Sequence, residues 1–154
     1  MARAKEMLVT QSVFDRLRER QEWPGTNAAA LRMLKESIRR DLEELLNTRR
    51  MLTADLDGYK MARSSVLNYG LEDLNSLTPL SRVNAQELQR AVQRCIAEYE
   101  PRLVDVAVSV DDGSDLLRRE IRLHIEATLP VHPSAETVSF DTTLDLTSGM
   151  YSIG

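Results

Sequence analysis

Hydrophobic positions follow two different periods along this chain. From Thr26 or Asn27, either of which suits an N-cap, Leu31, Leu34, Ile38, Leu42 and Leu45 recur at helical spacing to about Thr48. The opposite face carries Arg32, Lys35, Glu36, Arg39, Arg40, Glu43 and Glu44, so the pattern predicts a long amphipathic helix. A second helix is predicted from about Asn84 to Tyr99. There Asn84 and Glu87 are spaced as a capping box, and Leu88, Val92, Cys95, Ile96 and Tyr99 form one stripe. Beyond residue 103 the period drops to two. Val104, Val106, Val108 and Val110 alternate with polar or small residues, and the same holds for Ile121, Leu123, Ile125, Ala127 and Leu129. Val138, Phe140, Thr142, Leu144 and Leu146 make a third such run. Three strands joined by short loops predict an antiparallel meander with one apolar face, which the two helices must cover. The expected class is α+β, with helices packed on one face of a small C-terminal sheet.

The irregular stretches carry the rest of the information. Val13, Phe14 and Leu17 precede Glu22-Trp23-Pro24-Gly25, which breaks any helix, so residues 1–25 are expected to be an arm on a single domain spanning 26–154. Between Arg49 and Ser81, Gly58, Gly70 and Pro79 interrupt the pattern, and only a short helical turn is expected near Met61 to Leu67. Glu100-Pro101-Arg102 sits between the second helix and the first strand. Proline fixes its own φ and disfavours helical geometry for the residue before it, so the helix should end at Glu100 and the chain turn into the sheet. The two charges then stand on a stiff corner, where they can lock to each other, to the domain or to a partner protein.

Composition narrows the function by exclusion. A chain of 154 residues, 42% hydrophobic and 29% charged, suits one core. A net charge of -4 gives no basic excess for nucleic acid, which makes proteins the expected partners. The single Cys95 rules out an intrachain disulfide and matches no metal motif, which fits a reducing cytoplasm. Met7 to Val9 is too brief for a secretory segment, and no run approaches a membrane span. With 24 acidic residues a carboxylate pair for glycoside hydrolysis is easy to find, and that abundance empties the signal. Glu43 and Glu44 fall on the solvated helix face, and Asp111, Asp112 and Asp115 fall in a turn. His124 lies on the polar side of its strand, and with His132 it lacks further zinc ligands at a known spacing. Cys95 lies on an apolar stripe, and no phosphate-binding loop is present. Neither catalysis nor a cofactor is expected.

Three segments, taken together, carry a resemblance. Residues 37–50, the stretch Ser65-Val66-Leu67-Asn68-Tyr69-Gly70-Leu71 and the Glu100-Pro101-Arg102 corner resemble the TssE family of type VI secretion baseplate subunits. That family is similar to the wedge proteins of contractile phage-tail baseplates, and the likeness runs over about residues 8 to 150, in order. It implies a domain like the handshake domain of the sheath subunit, and an assembly part rather than an enzyme. It implies contacts with the wedge subunits TssF, TssG and TssK, and templating of the first layer of TssB and TssC sheath subunits. The location implied is a cytoplasmic baseplate docked at the inner membrane. By the same resemblance Glu100, Pro101 and Arg102 hold a helical core bundle of the wedge partners, and Asn68, Tyr69 and Gly70 form a second partner-binding signature. Glu72 stands where many relatives carry proline, so the resemblance does not fix the path of that loop. Two other readings are a peptidoglycan hydrolase, a label that members of this family have sometimes carried, and an adaptor of another phage-like contractile injection machine. Physical reasoning adds that a small open sheet leaves edges, and a free edge invites strand addition from another chain. On this reading the corner aims its charges outward, and Arg102 should contribute little to the domain's own stability.

Overall fold

Thr26 starts the first helix. In the computed structural model, which describes residues 17, 26–50, 59–63, 65–71, 82–111, 119–131 and 135–154, its hydroxyl accepts from the Ala29 amide at 3.4 Å. Helix α1 (Asn27–Asn47) then runs for 21 residues and ends at Thr48, whose amide bonds Leu45 O and whose hydroxyl bonds Glu44 O. Ile38, Leu42 and Leu46 are fully buried on its inner face. Each such side chain contributes about 1.5–3 kcal/mol by leaving water. The charged face behaves as its spacing predicts, with Arg39 pairing to Glu36 and Glu43 one turn away on either side.

A one-turn helix α2 (Lys60–Arg63) and a 3-10 turn (Val66–Asn68) stand where the sequence predicts a short helical turn. Helix α3 (Arg82–Tyr99) buries Leu88, Ala91, Val92, Cys95 and Ile96. It begins two residues earlier than the sequence pattern predicts. Its end falls where Pro101 dictates: the Glu100 amide still bonds Ile96 O, and a turn closed by Leu103 N to Glu100 O follows.

The sheet has four strands rather than three, in the order β1 (Val104–Val110), β2 (Glu120–Leu129), β3 (Glu136–Asp145), β4 (Met150–Ile153), all antiparallel. β4 is four residues long, too short for its alternation of exposed Met150 and Ser152 with buried Tyr151 and Ile153 to stand out from the sequence. The turn before it is tied by Asp145, which accepts from the Thr147 amide and the Ser148 hydroxyl, and Gly149 takes φ +70°. α1 packs against β4 and α3 against β1, and the inward side chains of all four strands form one core with the helices. Among the described residues no helix is long and apolar enough to cross a membrane. The expected arm, with Trp23, and the positions of Glu72 and His132 lie outside the described residues, apart from the exposed Leu17.

One strand departs from its sequence pattern. Val104 pairs with Thr128 but Ala107 with Glu126, so β1 carries one residue more than its partner, and Asp105 absorbs it at φ +52°. This bulge turns Val104 to the exposed side, away from Val106 and Val108, with which strict alternation groups it. Aspartate is among the few side chains that accept a left-handed backbone. Asp105→Val should therefore lower stability by about 1–2 kcal/mol in urea denaturation, while Asp105→Gly should not.

Candidate functional site

The two signatures that are thirty residues apart in sequence meet in space. Tyr99, the last residue of α3, donates its hydroxyl to Asn68 O at 2.7 Å, and its ring meets that of Tyr69 edge to face with centroids 5.2 Å apart. Such a ring pair adds about 0.5–1.5 kcal/mol beyond its buried area. Burial raises the pKa of both phenols; for Tyr69 nearby negative groups, including Asp41, Glu44 and Glu100, add to the shift. Both hydroxyls therefore stay protonated at neutral pH.

Gly70 explains why this turn needs its sequence. It takes φ +104°, and a Cβ there would lie 2.4 Å from Thr48 O, so both the backbone conformation and the space demand glycine. The close approach lets Leu71 donate to Thr48 O at 2.8 Å and accept from Arg50 N at 2.9 Å, a single parallel bridge that stitches the turn to the end of α1. Leu71 is buried beneath it. On the outer side, Val66 and Leu67 are lifted into solvent at 84% and 66% exposure, with Met61 and Tyr59 exposed nearby in sequence. Sequence reading did not single these exposed apolar residues out as candidates. Their one available signal was that neither helical nor strand periodicity gave them a place in the core.

Beside Tyr99 lies the corner, and it does not aim its charges outward. Glu100 is 5% exposed, and both of its carboxylate oxygens are engaged by Arg102 through Nε and Nη2. The same guanidinium reaches Asp41 Oδ2 on α1 at 2.6 Å, and Asp41 Oδ1 lies 3.4 Å from Arg40 Nη2. Hydrogen bonding to Glu100 first, and then to Asp41, outweighs burial and pushes the Arg102 pKa up. The outward expectation fails for a physical reason. A buried carboxylate two residues away and a second one across the helix pair hold the fork more firmly than water does, and sequence spacing could not reveal the second. Pro101 alone of the three faces solvent.

The described residues hold no group of three or more His, Cys, Asp or Glu side chains able to take a metal ion. A hollow of about 700 Å³ opens along the polar rows of β1, β2 and β3, lined by Ser109, Arg122, His124, Asp141 and Thr143 among others. In it His124 Nδ1 lies 2.6 Å from Asp141 Oδ1 and Nε2 lies 3.4 Å from Glu126 Oε1. Ser109 directs its hydroxyl at His124 O rather than at the ring, so the row builds no nucleophile and base pair.

Comparison with known proteins gives the family. Residues 32–134 match the sequence profile of the baseplate wedge protein gp25 family, which covers more than half of the chain and both signatures. The chain belongs to that family. Its role is accordingly that of a structural baseplate component, as the sequence resemblance implies. The fold is similar to that of a chain in the solved baseplate complex from the type VI secretion system, with TM-score 0.50 and 18% identity over 73% of this chain and 94% of that one. No curated protein sequence matches the chain.

Two outcomes follow, one for the corner and one for the sheet. Arg102→Ala leaves Glu100 buried without its partner, so we expect a loss of about 2–3 kcal/mol in chemical denaturation, with Asp41→Asn costing less. Hydrogen bonding to Asp141, foremost, raises the His124 pKa above its ordinary value near 6.5. Its contribution to stability is then full below about pH 6.5 and fades as pH rises through the elevated value. In urea, wild type should exceed His124→Gln by under about 1 kcal/mol at pH 6, and by nothing at pH 9.

Proposed function

We propose that this chain is a non-catalytic part of a type VI secretion baseplate, held in the wedge by the surface around Asn68, Tyr69, Gly70 and Glu100, Pro101, Arg102. The observation that supports this most is the Tyr99 hydroxyl bound to Asn68 O, which ties the first signature to the helix end directly before the second and makes one platform of them. Because Arg102 is tied down by Glu100 and Asp41, the corner acts by holding the platform's shape. What the platform offers a partner is apolar: Val66, Leu67 and the ring of Pro101 at the surface, with Tyr69 half-buried behind them. Exposed apolar side chains on a fixed turn suit the apolar face of a partner helix bundle, and TssF, TssG and TssK are the wedge subunits that the resemblance names. On the same reading the sheet templates the first layer of TssB and TssC sheath subunits, in a baseplate docked at the inner membrane.

The hydrolase reading draws no support from the geometry. Glu100, the buried carboxylate among the described residues, has both oxygens committed to Arg102, which leaves none to protonate a leaving group. A turbidity assay on cell-wall substrate that showed clearing by the purified chain, abolished in one acidic variant, would revive it.

Co-expression of the tagged chain with TssF, TssG and TssK tests the wedge assignment. Wild type should co-purify with all three, and Val66→Asp with Leu67→Asp should cut recovery at least about tenfold while the melting temperature is unchanged, since both side chains face solvent. Absence of any co-purification with wild type would sink the assignment. Full recovery of the double variant would move the contact elsewhere.

A further inference from the structure

The exposed apolar side chains of the platform belong to one run of linked turns. Ala62 N bonds Tyr59 O, Ser65 bonds Ala62 O through both its amide and its hydroxyl, and Asn68 N bonds Ser65 O. The α2 turn packs on the 3-10 turn that carries Val66 and Leu67, and Tyr99 anchors the latter through Asn68 O. Among the described residues, seven large hydrophobic side chains are exposed, and four of them, Tyr59, Met61, Val66 and Leu67, stand in this one run. Such clustering marks a contact surface, whereas scattered single residues would not. Met61 is the most exposed of the four, at 85%.

Met61 differs from its three neighbours in its chemistry. Its unbranched thioether adapts to an apolar partner surface, and it is the side chain of the four that a peroxide converts into a polar group which reductases can convert back. We propose that Met61 is an oxidation site on the docking platform: its sulfoxide releases the wedge partner, and reduction restores the contact. The inference rests on the wedge reading above and names a regulation of that surface. In the reaction a sulfur lone pair attacks one oxygen of hydrogen peroxide, and the S–O bond forms as the O–O bond breaks. The proton on the attacked oxygen passes to the departing oxygen, which leaves as water, so sulfur is oxidised by two electrons and the peroxide is reduced. In the free chain the sulfoxide stands in water and costs the fold little. Against an apolar partner it must be buried without a hydrogen-bond donor, which penalises the complex alone. Met150 supplies an internal comparison: it is 53% exposed, but on the polar side of β4, away from the helix-covered face of the sheet and from the platform that hangs at the end of α1.

The full-length chain, treated with hydrogen peroxide, freed of it by catalase and then mixed with untreated TssF, TssG and TssK, tests this. Peptide mass spectrometry should find an added oxygen on Met61 before Met150, and retention of the wild-type chain should fall about tenfold while its melting temperature is unchanged. Met61→Leu should keep full retention after the same treatment, whereas Met150→Leu should lose it as wild type does. Untreated Met61→Gln, whose amide imitates the polarity of the sulfoxide, should bind as weakly as the oxidised chain. Methionine sulfoxide reductases acting on both epimers should restore binding. Retention that survives complete oxidation of Met61 would overturn the switch and leave the wedge reading standing. So would an equal loss in Met61→Leu, or a Met61 that stays unoxidised while Met150 reacts. Should the untreated wild-type chain retain none of the three subunits, the wedge reading fails and the switch fails with it.

Discussion

Burial of one stripe on α1, from Ile38 through Leu42 to Leu46, against the sheet and α3 fixes the position of every polar group that matters elsewhere. With that stripe inward, Asn47 and Arg39 fall beside the β4 main chain, Asp41 falls beside Arg102, and Thr48 falls against Gly70. Three separate structural tasks are thus set by a single rotational choice of one helix about its axis. A rotation by one residue, about 100°, would release all three at once and bury charge in the core. The dense charge on the helix's polar side is therefore more than a solvated surface, since Arg39 serves both a helical pair with Glu36 and a strand terminus.

The corner shows why a buried ion pair can be kept without being a source of great stability. Taking Glu100 out of water costs several kcal/mol, and the attraction to Arg102 together with the link to Asp41 does little more than offset that cost. What the arrangement gains is definition. Proline stops the helix, the carboxylate is held by Arg102 through both oxygens, and the guanidinium is held by two carboxylates, so the chain leaves α3 in one direction. The bulge at Asp105 follows three residues after Arg102. The hydrophobic groups of the platform then sit on a base that does not give way when a partner presses on it.

Much of this fold is legible in the sequence, because α1, α3 and three of the strands carry strong periodicity. The helix ends at Thr26 and Pro101 were legible from local chemistry alone. What escaped was of two kinds. Short elements such as β4 have too few residues to display a period, and a bulge shifts the period by one without a mark in composition. The sequence singled out residues 68–70 and 100–102 as candidates, but the inward orientation of the 100–102 corner was not legible, because it depends on Asp41, 61 residues from Arg102. Long-range pairing of that sort has no signature in spacing. The apolar exposure of Val66 and Leu67 could be inferred only after every other hydrophobic residue had been given a place.

The bridge between Arg49 and Leu71 has one more consequence. It pins residues 49 and 71 side by side, so whatever lies between them is topologically a closed loop hung from the end of α1. The entropy of closing such a loop grows only with the logarithm of its length, and doubling it costs about 0.6 kcal/mol. The return of that loop carries Val66, Leu67, Asn68 and Tyr69, so the platform hangs from the end of α1 and inherits its position from the bridge rather than from the length of chain that leads to it.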